Sequence, residues 1–146
     1  RPLTVERHTY DNIKANGYFT VNQVSEAIHQ QAHLSSAKFP ASVSEFEGCG
    51  FTEAYIDDFS APFVAESKVK IGLSYQEEYL IKANNTILLI GKVEKIILPQ
   101  EAVDEGGNIN LEQLNTVGIG GLDTYYRCEK IGRYAFARVG QEVKEI

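Results

Sequence analysis

Arg7, His8, Thr9 and Asn12 are the residues best suited by type and spacing to chemistry. Arg7 offers a forked cation, Thr9 a hydroxyl and Asn12 an amide. On a helix, Thr9 and Asn12 share one face. Together with the free N–H groups of a first turn they could hold a phosphate. The same triplet also suits a solvated surface helix, and spacing alone does not separate the two readings.

Other candidate groups carry less. His29 and His33 stand one helical turn apart, as two metal ligands can. Without an HExxH pattern or a third histidine nearby, a solvated helix face accounts for them. Gly118-Ile119-Gly120-Gly121 is followed by no Lys-Ser/Thr pair, so it reads as a tight turn or close backbone approach rather than a phosphate loop. The aspartate and tyrosine just after it, in Gly121–Tyr125, could line a pocket. Cys49 lies between two glycines, with Glu45 and Glu47 opposing its ionisation, and reads as a small apolar filler. Asp57-Asp58 reads as a solvated turn. No Ser/His/Asp or Cys/His arrangement suggests a hydrolase.

These residues need elements to position them. Thr4 is placed to cap a helix that Gly17 stops. Val5, Thr9, Asn12 and Ile13 fall on one face of it. Tyr18–Val24 is rich in aromatic and β-branched residues and predicts a strand. Ser25 is placed to cap a second helix whose inner side is Ala27, Ile28, Gln31, Ala32 and Leu34. Residues 35–40 read as loop. Ser42 and Glu45 have capping-box spacing for a short helix through Phe46, ended by Gly48 and Gly50.

Residues 51–62 read as irregular. Val69, Ile71, Leu73 and Tyr75 alternate with polar or small residues and predict a half-buried strand running to Ile81. Asn84-Asn85 supplies a turn, and Thr86–Leu98 returns as a second long strand of an antiparallel hairpin. The apolar run Ile87–Ile90 predicts cover on both faces. Further on, the sequence predicts a turn at Asp104–Asn108, a short helix at Leu111–Leu114 capped by Asn110, and a glycine-rich strand or loop over Thr116–Gly121. A last short strand is expected over Tyr134–Arg138, then a loose charged tail over 140–146. The class is mixed α+β and β-rich, in one domain over 1–139. The absence of repeated βαβ units argues against a doubly wound dinucleotide fold.

The composition of the 146 residues narrows the partners. The hydrophobic fraction of 43% and the charged fraction of 23% are those of an ordinary globular domain. A net charge of −6 without a basic block excludes a nucleic-acid partner. No apolar run approaches the roughly 18–20 residues of a membrane span. Cys49 and Cys128 lie outside any CxxC motif and read as reduced thiols, so a cytoplasmic location is expected.

Several stretches in order resemble the flavin reductase-like, FMN-binding split-barrel family. They are Arg1-Pro2, Arg7–Ile13, Gly17–Asn22, Ser36–Phe39, Ser44–Glu47, Gly50–Thr52, Ala61–Val64, Glu66-Ser67, Ile71-Gly72 and Gly121–Tyr125. The resemblance implies a split β-barrel of antiparallel strands with short flanking helices, assembled as a homodimer with FMN in a groove near the dimer interface. It also implies electron transfer between a nicotinamide cofactor, NADH or NADPH, and flavin; the alternatives are a flavin-bearing electron carrier without nicotinamide activity, or a truncated, non-enzymatic dimerising domain. By position, Thr9 and Asn12 would contact the FMN phosphate, helped by Arg7, His8 and Arg1, and Asn22 would lie beside the flavin ring. The flavin carries the redox chemistry, so no catalytic acid or base is implied. In the family, two or three strands and a serine-containing loop precede the Arg-Pro position. This chain starts after them, so its barrel is expected to be incomplete at the N-terminus, with unpaired edges.

Overall fold

A computed structural model describes residues 8–146. Arg1, Arg7 and the expected cap at Thr4 lie outside the described residues. The first described element is helix α1 (His8–Asn16). It stops at Gly17, whose φ of +73° is open to glycine at little cost and whose N–H donates to the Ile13 carbonyl at 2.8 Å. Strand β1 (Tyr18–Asn22) follows, then the short helices α2 (His29–Leu34) and α3 (Glu45–Cys49). The two-residue strands β2 (Glu53–Ala54) and β3 (Phe63–Val64) pair with each other. Strands β4 (Lys70–Ile81) and β5 (Thr86–Ile97) form the long hairpin, and β6 (Val117–Gly120) and β7 (Thr124–Arg127) a small one.

The main sheet has the order β1-β4-β5, antiparallel throughout. Its register sets Thr20 opposite Gly72 and Phe19 opposite Leu73. The register slips twice, with Glu94 the extra residue in β5 opposite Gly72 and Leu73, and Gln76 the extra residue in β4 opposite Ile90 and Gly91. One face is covered by the segment before β3. Phe59 lies against Gly72, meets Tyr18 edge-on at 5.4 Å between ring centroids and packs on Phe63 at 5.3 Å. Thr20 Oγ1 donates to the Pro62 carbonyl at 2.8 Å. Phe63 is fully buried at the centre of this layer. A second buried cluster holds Ala102 and Leu114, under the turns that follow β5.

Among the described residues the sheet does not close into a barrel. Cross-strand rows Val21–Ile71–Ile96 and Phe19–Leu73–Val93 line its other face, where Val21, Val93 and Ile96 remain 50–56% exposed. The expectation that Ile87–Ile90 is covered on both faces is therefore corrected. Strand β5 is an edge strand, and Leu88 and Ile90 remain exposed.

Other expectations also shift. Ser25 does not cap a helix. It is buried and forms an isolated bridge to Thr116, because the segment after β1 continues as an extended chain alongside 115–117. Helix α2 starts after Ile28, leaving Ala27 and Leu34 exposed. The residue before α3 is Ser44, not Ser42, and Gly50 at φ +72° ends that helix. Asn110 does accept from the N–H groups of Glu112 and Gln113, but it caps a series of turns rather than a helix. Tyr134–Arg138 forms no strand. Its Tyr134 bridges Glu145, so residues 144–146 return along 133–135. Strand β7, not foreseen, pairs with the expected glycine-rich β6.

Candidate functional site

Helix α1 has two unlike sides. Ile13 is buried toward the sheet. Beside it, the Tyr10 hydroxyl donates to the Glu78 carboxylate at 3.0 Å. Lys14 Nζ donates to the Tyr75 hydroxyl at 2.8 Å, lies 3.4 Å from Glu78 and sits 4.2 Å above the Tyr75 ring. The hydrogen bond to Glu78 raises the Tyr10 pKa, and the hydrogen bond to Tyr75 raises that of Lys14. Burial pushes Glu78 up, but hydrogen bonds from Tyr10 and Lys14 outweigh it and hold the carboxyl below the ordinary range. These contacts fasten the helix to β4.

The other side is free. His8, Thr9, Asp11 and Asn12 form one wall of an open groove of about 550 Å³. The opposite wall is the chain from Phe39 through Ser42 and Ser44 to Glu45 and Phe46. Thr9 and Asn12 are exposed and make no side-chain hydrogen bond among the described residues. A hydroxyl, an amide, the serine hydroxyls and an imidazole thus converge on a cavity of the size that holds small molecules.

Hydroxyl and amide groups of this kind hydrogen-bond phosphates and sugar hydroxyls, while Asp11 and Glu45 add two acceptors to the same lining. Among the described residues, His8 is the only lining group that can become cationic, and Asp11 and Glu45 oppose it. Arg1 and Arg7, the other expected cationic groups, lie outside the described residues.

Asn22 stands elsewhere. Its Nδ2 donates to Thr20 Oγ1 at 2.9 Å, and its Oδ1 accepts from the Val64 N–H at 3.1 Å. It ties β1 to β3 and does not line the groove. His29 and His33 converge on one ring. Both stack edge-on against Tyr125, at 5.6 and 5.8 Å between centroids, and His33 Nδ1 lies 3.1 Å from its hydroxyl. His29 Nδ1 lies 2.7 Å from the Glu26 carbonyl, and the Glu26 carboxylate accepts two 2.8 Å bonds from Arg127. Among the described residues no three His, Cys, Asp or Glu side chains gather for a metal. Cys49 is buried, and burial, then the Glu45 charge, pushes its thiol up. No described helix is long and apolar enough to cross a membrane.

Sequence reasoning missed the second wall. Residues 35–46 carried a cap signal, but nothing local shows that they close against α1.

A family profile described as "Flavin reductase like domain" matches residues 3–115. An uncharacterized protein of Aquifex aeolicus (strain VF5) is 30% identical over 115 residues, which are 77% of this chain and 56% of that one. The chain thus spans just over half the length of this curated relative. A crystal structure of a presumed flavin reductase with a split-barrel domain, from Shewanella frigidimarina NCIMB 400, superposes with a TM-score of 0.87 at 40% identity. The match covers 90% of this chain and 66% of that one. Flavoredoxin of Desulfovibrio vulgaris (Miyazaki F) has a TM-score of 0.73 at 19% identity, over 94% and 71% of the two chains; at that identity it shows the shared fold alone.

Proposed function

The chain belongs to the flavin reductase-like domain family, and on that premise we propose that it is the core of an FMN-binding oxidoreductase that uses NADH or NADPH. The observation that carries this reading is the groove against the unspent side chains of Thr9 and Asn12. In the proposal, Thr9 and Asn12 donate to the phosphate, His8 and the arginines at 1 and 7 supply charge, and Ser42 and Ser44 face the ribityl chain. Asn22 stiffens the end of β1, beside which the ring would lie. The flavin, when bound, supplies the hydride and electron chemistry. The chain's own part is to hold and orient it.

The working unit is proposed to be a homodimer in the cytoplasm, its interface including the open apolar sheet face. The test is a titration of FMN with the purified chain, followed by flavin fluorescence, then NADH and NADPH oxidation with and without FMN. Quenching with FMN-dependent oxidation is expected. Flavin that keeps its free fluorescence would overturn the reading. Quenching without oxidation would leave an electron carrier.

A further inference from the structure

Residues 131–146 lie beyond the stretch 3–115 that the family profile matches, and they fold back on themselves as a small hairpin. Tyr134 bridges Glu145, the Ala135 N–H donates to the Lys144 carbonyl at 2.8 Å, and the Ile146 N–H donates to the Arg133 carbonyl at 2.9 Å. The chain reverses where the Gln141 N–H donates to the Arg138 carbonyl at 3.2 Å. We infer that this hairpin is an arm that docks on the open sheet face of a second copy, so that two copies exchange arms. The inference rests on the proposed homodimer and assigns the element that covers its sheet.

Three observations carry it. First, the arm is apolar where it meets water. Ile131, Phe136 and Val139 are each at least 90% exposed. Side chains of this kind stabilise nothing at the tip of a solvated hairpin, whereas a buried aromatic with apolar neighbours anchors an interface. Second, the same molecule holds an apolar surface without a cover, where Val21, Val93 and Ile96 are exposed. The arm does not lie on its own sheet, since both surfaces stay open in the single chain. Third, the areas agree. The chain exposes 10621 Å². A compact single chain of 16.3 kDa exposes about 7,500 Å². The surplus of about 3,000 Å² more than supplies the roughly 1,000–2,500 Å² that each subunit gives to an obligate homodimer interface. Arm on face is a contact between unlike surfaces. It closes at two copies only when each gives its arm to the other, since a one-way contact would add copies without end.

Light scattering on the 146-residue chain and two double variants tests the exchange. Phe136→Ser with Val139→Ser removes the anchors of the arm, at positions that the single chain leaves in water. Val93→Lys with Ile96→Glu removes the face. Each anchor is expected to contribute about tenfold to association. The arm variant loses both contacts of the pair, so it should associate roughly ten-thousandfold more weakly than the parent and stay at single-chain mass. The face variant should do the same. Mixed together, the two variants can form a pair in which the intact arm of one meets the intact face of the other. A species of twice the single-chain mass should therefore return, at about a hundredfold higher concentration than the parent needs.

An arm variant that dimerises like the parent overturns the arm and leaves the homodimer standing. A mixture in which no such species returns overturns the exchange, because contacts of arm with arm and face with face cannot be rescued by mixing. A parent that stays at single-chain mass removes the homodimer and the arm together.

Discussion

Along α1 the side chains divide by task. Tyr10, Ile13 and Lys14 are spent on the sheet, while the interleaved Thr9 and Asn12 face the groove with their polar atoms free. Replacing both Thr9 and Asn12 by Ala should weaken FMN strongly, since each hydrogen bond to a charged partner is worth roughly 1.5–3 kcal/mol, or about 10- to 150-fold. A fluorescence titration with unchanged FMN affinity would refute the phosphate assignment. Glu78 makes a pH prediction. Its folded pKa lies below the ordinary 4.5, so its contribution to stability is present above that value and is lost as pH falls through the lower folded value. Melting curves should therefore fall off in acid, and Glu78→Gln should flatten that dependence. An unchanged acid slope in the variant would exclude Glu78 as a source. Thr9 and Asn12 were legible because helical spacing is local. Asp11, Glu45 and Phe39 were not, since their meeting depends on the path of a loop that carries no periodicity.

Among the elements, the main sheet depends on two missing side chains. A Cβ at Gly72 would lie 2.8 Å from Phe59, and one at Gly91 would lie 2.5 Å from Phe19. Phe59 cannot swing away cheaply, being packed between Tyr18 and Phe63. Gly72→Ala should cost about 1–3 kcal/mol by overpacking, measured by denaturant unfolding. A variant as stable as the parent would show that Phe59 has room to move. The β4–β5 hairpin was readable because period-two apolar residues and an Asn-Asn turn agree, and Asn85 does adopt a left-handed φ of +53°. Helix α2 was misread at its start. Ser25 looks like a cap locally, yet the chain beyond β1 gains more by hydrogen-bonding along 115–117 than by coiling at once. Strand β7 escaped because Thr124–Arg127 is short, polar at both ends and defined only by its partner.

At the scale of the whole molecule, the sheet face that carries half-buried Phe19 and Leu73 and exposed Val21, Val93 and Ile96 lies open among the described residues. Apolar surface of this kind seeks a cover. The chain should therefore associate at micromolar concentrations, read as a mass above 16.3 kDa by light scattering. Val93→Lys with Ile96→Glu should return it to a single-chain mass. A parent that stays at single-chain mass would count against the proposed dimer.

The fastening of the first helix reaches further than its own stability. Its two anchors on the hairpin, Tyr75 and Glu78, flank the irregularity between Tyr75 and Glu77. The wall of the groove that α1 provides is thus held at a bulge in β4, where a strand's twist is locally increased. Removing the extra residue there would re-aim that wall and change the width of the cleft while leaving every residue within it untouched.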